Sequence, residues 1–118
     1  MILAIVDDLM FSSKIKTAAS QLGVAVAFAR SSAAALATMR ERAPALVILD
    51  LNNPRTDPLG VVAAMKADAE LAGIPTLGFV SHVDSVTIDA ARQAGVGEIL
   101  ARSAFVQQLP ALLAQGNK

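Results

Sequence analysis

Asp7, Asp8 and Asp50 are the residues of this chain best placed to do chemistry. Asp7-Asp8 closes the apolar run Ile2-Leu3-Ala4-Ile5-Val6, and Asp50 closes the run Ala45-Leu46-Val47-Ile48-Leu49. A carboxylate at the end of a buried strand is costly unless a partner compensates it. Brought together, three such carboxylates repel one another, which raises pKa values, and they suit a hard divalent cation. Mg²⁺ prefers oxygen ligands and keeps several of its waters, so Asp8, Asp50 and the backbone carbonyl of Asn52 would make a partial shell of the right kind. Held ionised beside that cation, Asp50 could attack a phosphoryl group and form an acyl phosphate. Two later strands end near Ser81 and Arg102, whose hydroxyl and guanidinium suit the oxygens of such a group.

These residues are far apart in sequence, so the elements between them must bring them together. Short aliphatic stretches alternate with Ala-rich stretches of helical period. Strands are expected at Ile2–Val6, Val24–Ala29, Ala45–Leu49, Thr76–Val80 and Glu98–Ala101. In the first helix Phe11, Ile15, Ala18 and Leu22 fall at helical spacing, and Gly23 stops it. Ser31 or Ser32 caps the second helix, where Leu36, Met39 and Ala43 share a face. A turn-prone loop spans Asn52 to Pro58, and the third helix runs from about Leu59 to Leu71 before Gly73. Asp84 or Ser85 caps the fourth helix, which Gly95 closes. The last helix lies within Ser103 to Gln115, where Pro110 either kinks it or starts a second short one. Consecutive βα units predict an α/β fold, a five-stranded parallel sheet with right-handed crossovers and helices on both faces. Ligands of such sheets bind beyond the carboxyl ends of the strands, where strand order reverses. For order 2-1-3-4-5 that point lies between strands one and three, where Asp7, Asp8 and Asp50 would converge.

At 118 residues the chain reads as one domain with a real core and no attached output domain. It is 54% apolar and 17% charged, which excludes disorder. No apolar run approaches ~20 residues, so no membrane helix is expected. With no cysteine there is neither a disulfide framework nor a thiolate metal site, and the cytoplasm is the expected location. Ten basic and ten acidic residues balance without a Lys/Arg run, which argues against nucleic-acid or anionic-membrane binding. No glycine-rich phosphate loop follows the first strand, which disfavours a nucleotide or flavin.

Over nearly its full length the chain resembles the receiver domain of two-component response regulators, a flavodoxin-like fold. The resemblance rests on Val6-Asp7-Asp8, on Leu49-Asp50 with Pro54 four residues on, on Ile74-Pro75 before the fourth strand, and on Ser81. It implies a signalling module and not a turnover enzyme, with Asp50 as phospho-acceptor. It further implies that Asp7 and Asp8 organise Mg²⁺, that the Asn52 carbonyl completes the protein ligands, and that Ser81 moves on phosphorylation. The implied partners are a histidine kinase or phosphotransfer protein as donor and a downstream protein as receiver of the signal. In this family the face of helix four, strand five and helix five often pairs with a partner or forms a homodimer. The absence of charge from Ser103 to Asn117 suits such an interface.

The sequence also departs from that pattern. Arg102 stands where the family has lysine, and a planar guanidinium fork does not substitute simply for a compact ammonium. Ser103 replaces a proline, Ile99 replaces a frequent aromatic, and His82 takes the place of a small residue. These changes support a second expectation: a receiver-like interaction module that works without phosphorylation, with Arg102 pinning the acidic rim.

Overall fold

The computed structural model describes residues 1–80 and 84–116; Ser81 and His82 lie outside the described residues. Strands β1 (Ile2–Ile5), β2 (Val26–Ala29), β3 (Leu46–Asp50), β4 (Thr76–Val80) and β5 (Glu98–Ala101) alternate with helices α1 (Leu9–Leu22), α2 (Ser32–Glu41), α3 (Pro58–Ala67), α4 (Ser85–Ala94) and α5 (Arg102–Gly116). All strand pairs are parallel, in the order β2-β1-β3-β4-β5. Ile5 aligns with Ala29 on one side and Leu49 on the other, Asp50 aligns with Phe79, and Val80 with Ala101. The carboxyl ends of the strands therefore finish together, and whatever follows them shares one rim.

Side chains alternate across a strand, and here the alternation sorts the core into two layers. Leu3, Ile5, Val47 and Leu49 pack with Ala35 and Met39 of α2, Val61, Val62 and Met65 of α3, and Ala91 of α4. Ile2, Ala4, Ile48, Leu77 and Phe79 face the other way, toward Phe11 and Ile15 of α1 and Phe105, Leu109 and Leu113 of α5. The central strands are thus apolar on both faces, as a doubly covered parallel sheet requires. On the α1–α5 side Phe11, Phe79 and Phe105 form a triangular cluster, Phe79 lying 4.6 Å from each of the other two rings and those two 5.7 Å apart. Each such pair adds about 0.5–1.5 kcal/mol beyond burial. Since Phe79 is the register partner of Asp50, this aromatic cluster lies beneath the rim. On the opposite face Gly78 leaves room for Leu51: a Cβ at Gly78 would stand 2.5 Å from Leu51 Cδ1.

Local signals explain most element ends. Ser31 caps α2 through the Ala34 N–H, Asp84 caps α4, and Gly23 and Gly95 close α1 and α4 in the left-handed conformation. Several sequence expectations need correction. The third helix stops at Ala67 and not at Leu71. Asp68 turns its carboxylate back onto the Glu70 N–H and faces Arg40 of α2 at 3.8 Å, so its side chain competes with helical continuation. Leu71 stays buried, carried by a turn. α2 ends before Ala43, which is exposed; Ala35 and Met39 carry its buried face. α5 runs without interruption through Pro110, because Phe105, Leu109 and Leu113 anchor the helix to the sheet on both sides of the proline. No helix among the described residues is long and apolar enough to cross a membrane.

Candidate functional site

The rim at the carboxyl ends of β1 and β3 opens into a cleft of about 390 Å³ lined by Asp7, Asp8, Asp50, Asn52, Arg55 and Arg102 over a floor of Phe11 and Phe79. The sheet order brings these residues together: β1 and β3 are neighbours, although Asp8 and Asp50 are separated by the whole of α1, β2 and α2.

Each acid is held differently. Asp8 follows β1 and caps α1, its Oδ1 accepting the Phe11 N–H at 3.1 Å. Asp50 ends β3 half-buried, and its Oδ1 accepts the Asn52 N–H at 3.1 Å. Burial pushes the Asp50 carboxyl above its ordinary value. The Asn52 N–H and then the Arg102 guanidinium pull it down, while the negative charge of Asp8 pushes it up. The Asp7 carboxylate meets Arg30 at 3.9 Å through Oδ1 and Arg55 at 3.2 Å through Oδ2. Arg102, the first residue of α5, lies over the Phe11 ring with Cζ 4.5 Å from the centroid, a cation–π contact that carries the guanidinium into the cleft.

The cleft thus gathers Asp7, Asp8, Asp50, Asn52 and Arg102, all singled out in the sequence. Ser81, also singled out, follows the last residue of β4 and lies outside the described residues. Arg30, Arg55 and the Phe11 platform were not anticipated. A signal for Arg30 existed: it directly follows β2 and therefore reaches the same rim as Asp7. Arg55 sits in a 3₁₀ turn, Pro54–Thr56, and nothing in its sequence context points at Asp7.

The donor set consists of hard oxygens. Among the described residues no three carboxylate or imidazole side chains are gathered closely enough to hold a metal ion between them. Asp8 and Asp50, which interact electrostatically across the cleft, leave two carboxylates and the neighbouring Asn52 backbone as the oxygens that fit a cation retaining most of its waters.

Comparison with known proteins agrees with this architecture. No match to a curated protein was found. Among solved structures, the phosphorylated cyanobacterial phytochrome response regulator RcpA superposes with a TM-score of 0.79 at 24% identity, over 97% of this chain and 88% of that one. The Mn²⁺-bound form of response regulator Rcp1 gives 0.78 at 21% identity, over 94% and 89%. Vibrio cholerae chemotaxis protein CheY4 gives 0.83 at 18% identity, over 98% and 96%. At these identities the likeness is one of fold. The response regulator receiver domain family matches residues 2–114. A match over nearly all of the sequence, on a five-stranded sheet of order β2-β1-β3-β4-β5, places this chain in the response regulator receiver domain family.

Proposed function

We propose that the chain accepts a phosphoryl group on Asp50 in a Mg²⁺-dependent manner and passes the signal to a protein partner. The observation that carries this reading is the cleft itself: a half-buried carboxylate at the end of β3, faced by a second carboxylate and by a guanidinium. Asp8, Asp50 and the Asn52 carbonyl would hold the cation, with Asp7 joining through its outer waters. The cation would supply charge neutralisation to the phosphoryl oxygens and keep Asp50 ionised. That the related Rcp1 has a Mn²⁺-bound form supports a divalent cation here.

In the transfer, an Asp50 carboxylate oxygen attacks the phosphorus of a phosphohistidine on a kinase or phosphotransfer protein. The O–P bond forms as the P–N bond breaks, and the departing imidazole takes up a proton. Arg102, steadied on Phe11, offers N–H donors to the phosphoryl oxygens. The Ser81 hydroxyl would take another of those oxygens. Incubation with Mg²⁺ and a small phosphodonor, read by intact mass, should add one phosphoryl group. The addition should vanish in Asp50→Asn and on chelation of Mg²⁺. Absence of any addition with every donor would sink the reading.

One observation favours a second reading. Asp7 is already paired with two arginines, and Arg102 offsets part of the rise that burial imposes on the Asp50 carboxyl, without a cation. A receiver whose rim is neutralised internally could bind partners without phosphorylation. On that reading Asp50→Asn leaves partner binding unchanged, whereas the phosphorylation reading requires the phosphodonor to alter binding in the wild type alone.

A further inference from the structure

Among the described residues three acids and three arginines meet at this rim, Asp7, Asp8 and Asp50 against Arg30, Arg55 and Arg102, so their formal charges balance. The pairing is uneven. Both oxygens of Asp7 are engaged, one by Arg30 at 3.9 Å and one by Arg55 at 3.2 Å, the latter a hydrogen bond. The Asp7 side chain is only 19% exposed, while those of Arg30 and Arg55 are 62% and 81% exposed. The acid is therefore the fixed member and the arginines are the members free to swing. The Arg55 backbone is itself pinned, since its N–H donates to Asn53 Oδ1 at 2.9 Å within the 3₁₀ turn. Only the side chain has to move.

We propose that Arg55, backed by Arg30, competes with a divalent cation for Asp7 and so sets the cation affinity of the cleft. Arg55 is in this sense a positioning residue, acting through Asp7. The inference rests on the reading that the cleft binds Mg²⁺. Its physical basis is that an exposed ion pair is weak and yields to a divalent cation, yet its loss on cation binding weakens that binding by the strength of the pair. For pairs of this exposure the expected penalty is about two- to five-fold in dissociation constant.

Calorimetric titration of the full chain with Mg²⁺, repeated with Mn²⁺, tests this. Arg55→Ala should tighten cation binding about two- to five-fold, and Arg30→Ala less, its contact being longer. Arg55→Lys, which keeps the charge, should stay near the wild type. In an Asp7→Asn background the gain from Arg55→Ala should largely disappear, because the competition has lost its object. An unchanged or weaker affinity in Arg55→Ala overturns the proposal, as does an equal gain with and without Asp7. Wild-type binding with no response to Arg55 overturns this inference alone; no binding in any variant overturns it together with the metal reading. Because Arg55 is exposed, thermal denaturation without metal should find Arg55→Ala folded and within a few degrees of the wild type.

Discussion

Replacing Asp8 by asparagine and by alanine separates two duties of one carboxylate. Its Oδ1 accepts the Phe11 N–H at 3.1 Å and caps a 14-residue helix that has no acidic residue in its first turn. Its charge also bears on Asp50 across the cleft. Asparagine caps about as well as aspartate, whereas alanine loses the cap at a cost of about 1 kcal/mol, within a range of about 0.5–2. Asparagine loses a favourable charge–dipole interaction of about 0.5 kcal/mol but also relieves the repulsion of Asp50, so the two changes partly offset. Without metal, Asp8→Asn should lie within about 0.5 kcal/mol of the wild type and Asp8→Ala about 1 kcal/mol below Asp8→Asn. For a domain of this size that gap is about 4 °C in Tm, within reach of urea or thermal denaturation followed by circular dichroism. Cation affinity should behave differently. On the proposed cation site both variants remove the same carboxylate, so Mg²⁺ affinity should fall about ten-fold or more in each, the loss seen when even an outer partner of a metal ligand is deleted. Equal stabilities for the two variants would refute the capping argument. Wild-type Mg²⁺ affinity in Asp8→Asn would refute the assignment of Asp8 to the cation site.

Other substitutions probe the surroundings. Because burial holds the Asp50 carboxyl above its ordinary value of 3.8, the folded chain keeps a proton that the unfolded chain has released. Metal-free stability should therefore fall as pH rises from near 3.8 through the higher folded-state pKa, and Asp50→Asn should flatten this slope and raise Tm at neutral pH. A Tm-versus-pH series in chelator that is identical for both proteins would contradict this. Phe79→Ala should cost about 3–5 kcal/mol and Phe79→Leu about 1–3 kcal/mol in urea denaturation, since the second mainly loses the two ring contacts. Gly78→Ala should cost about 1–3 kcal/mol through collision with Leu51, and Leu51→Ala in the same chain should recover part of that loss, a coupling that a double-mutant cycle measures. Pro110→Ala should stabilise α5 by about 1–3 kcal/mol by restoring a backbone donor in an unbroken helix; a loss of stability would mean that the proline ring contributes packing of its own.

The legible part of this fold was the alternation of apolar stretches with glycine, serine and aspartate punctuation. Ser31, Asp84, Gly23 and Gly95 act locally, within one turn of the residues they cap, so their roles follow from short sequence windows. Where helical periodicity misled, it carried no information on where a helix ends or on what holds it. Asp68 ends α3 early while facing Arg40 of another helix. Pro110 fails to break α5 because the sheet holds both halves of that helix. Ala43 matched a helical face in spacing, but the helix had already ended.

The site divides along the same line. Carboxylates at the ends of the first and third strands, and alternating βα units that gather those ends at one rim, are written in the chain, because strand period and crossover handedness are local and chiral properties. How each acid is satisfied emerges with the packed fold: Asp7 by Arg30 and Arg55, Asp8 by the first turn of α1, Asp50 by the Asn52 N–H, with Arg102 on its aromatic platform in the same cleft. Charge compensation acts through space over a few ångströms, and those distances exist only once β2, β3 and α5 have closed around the rim.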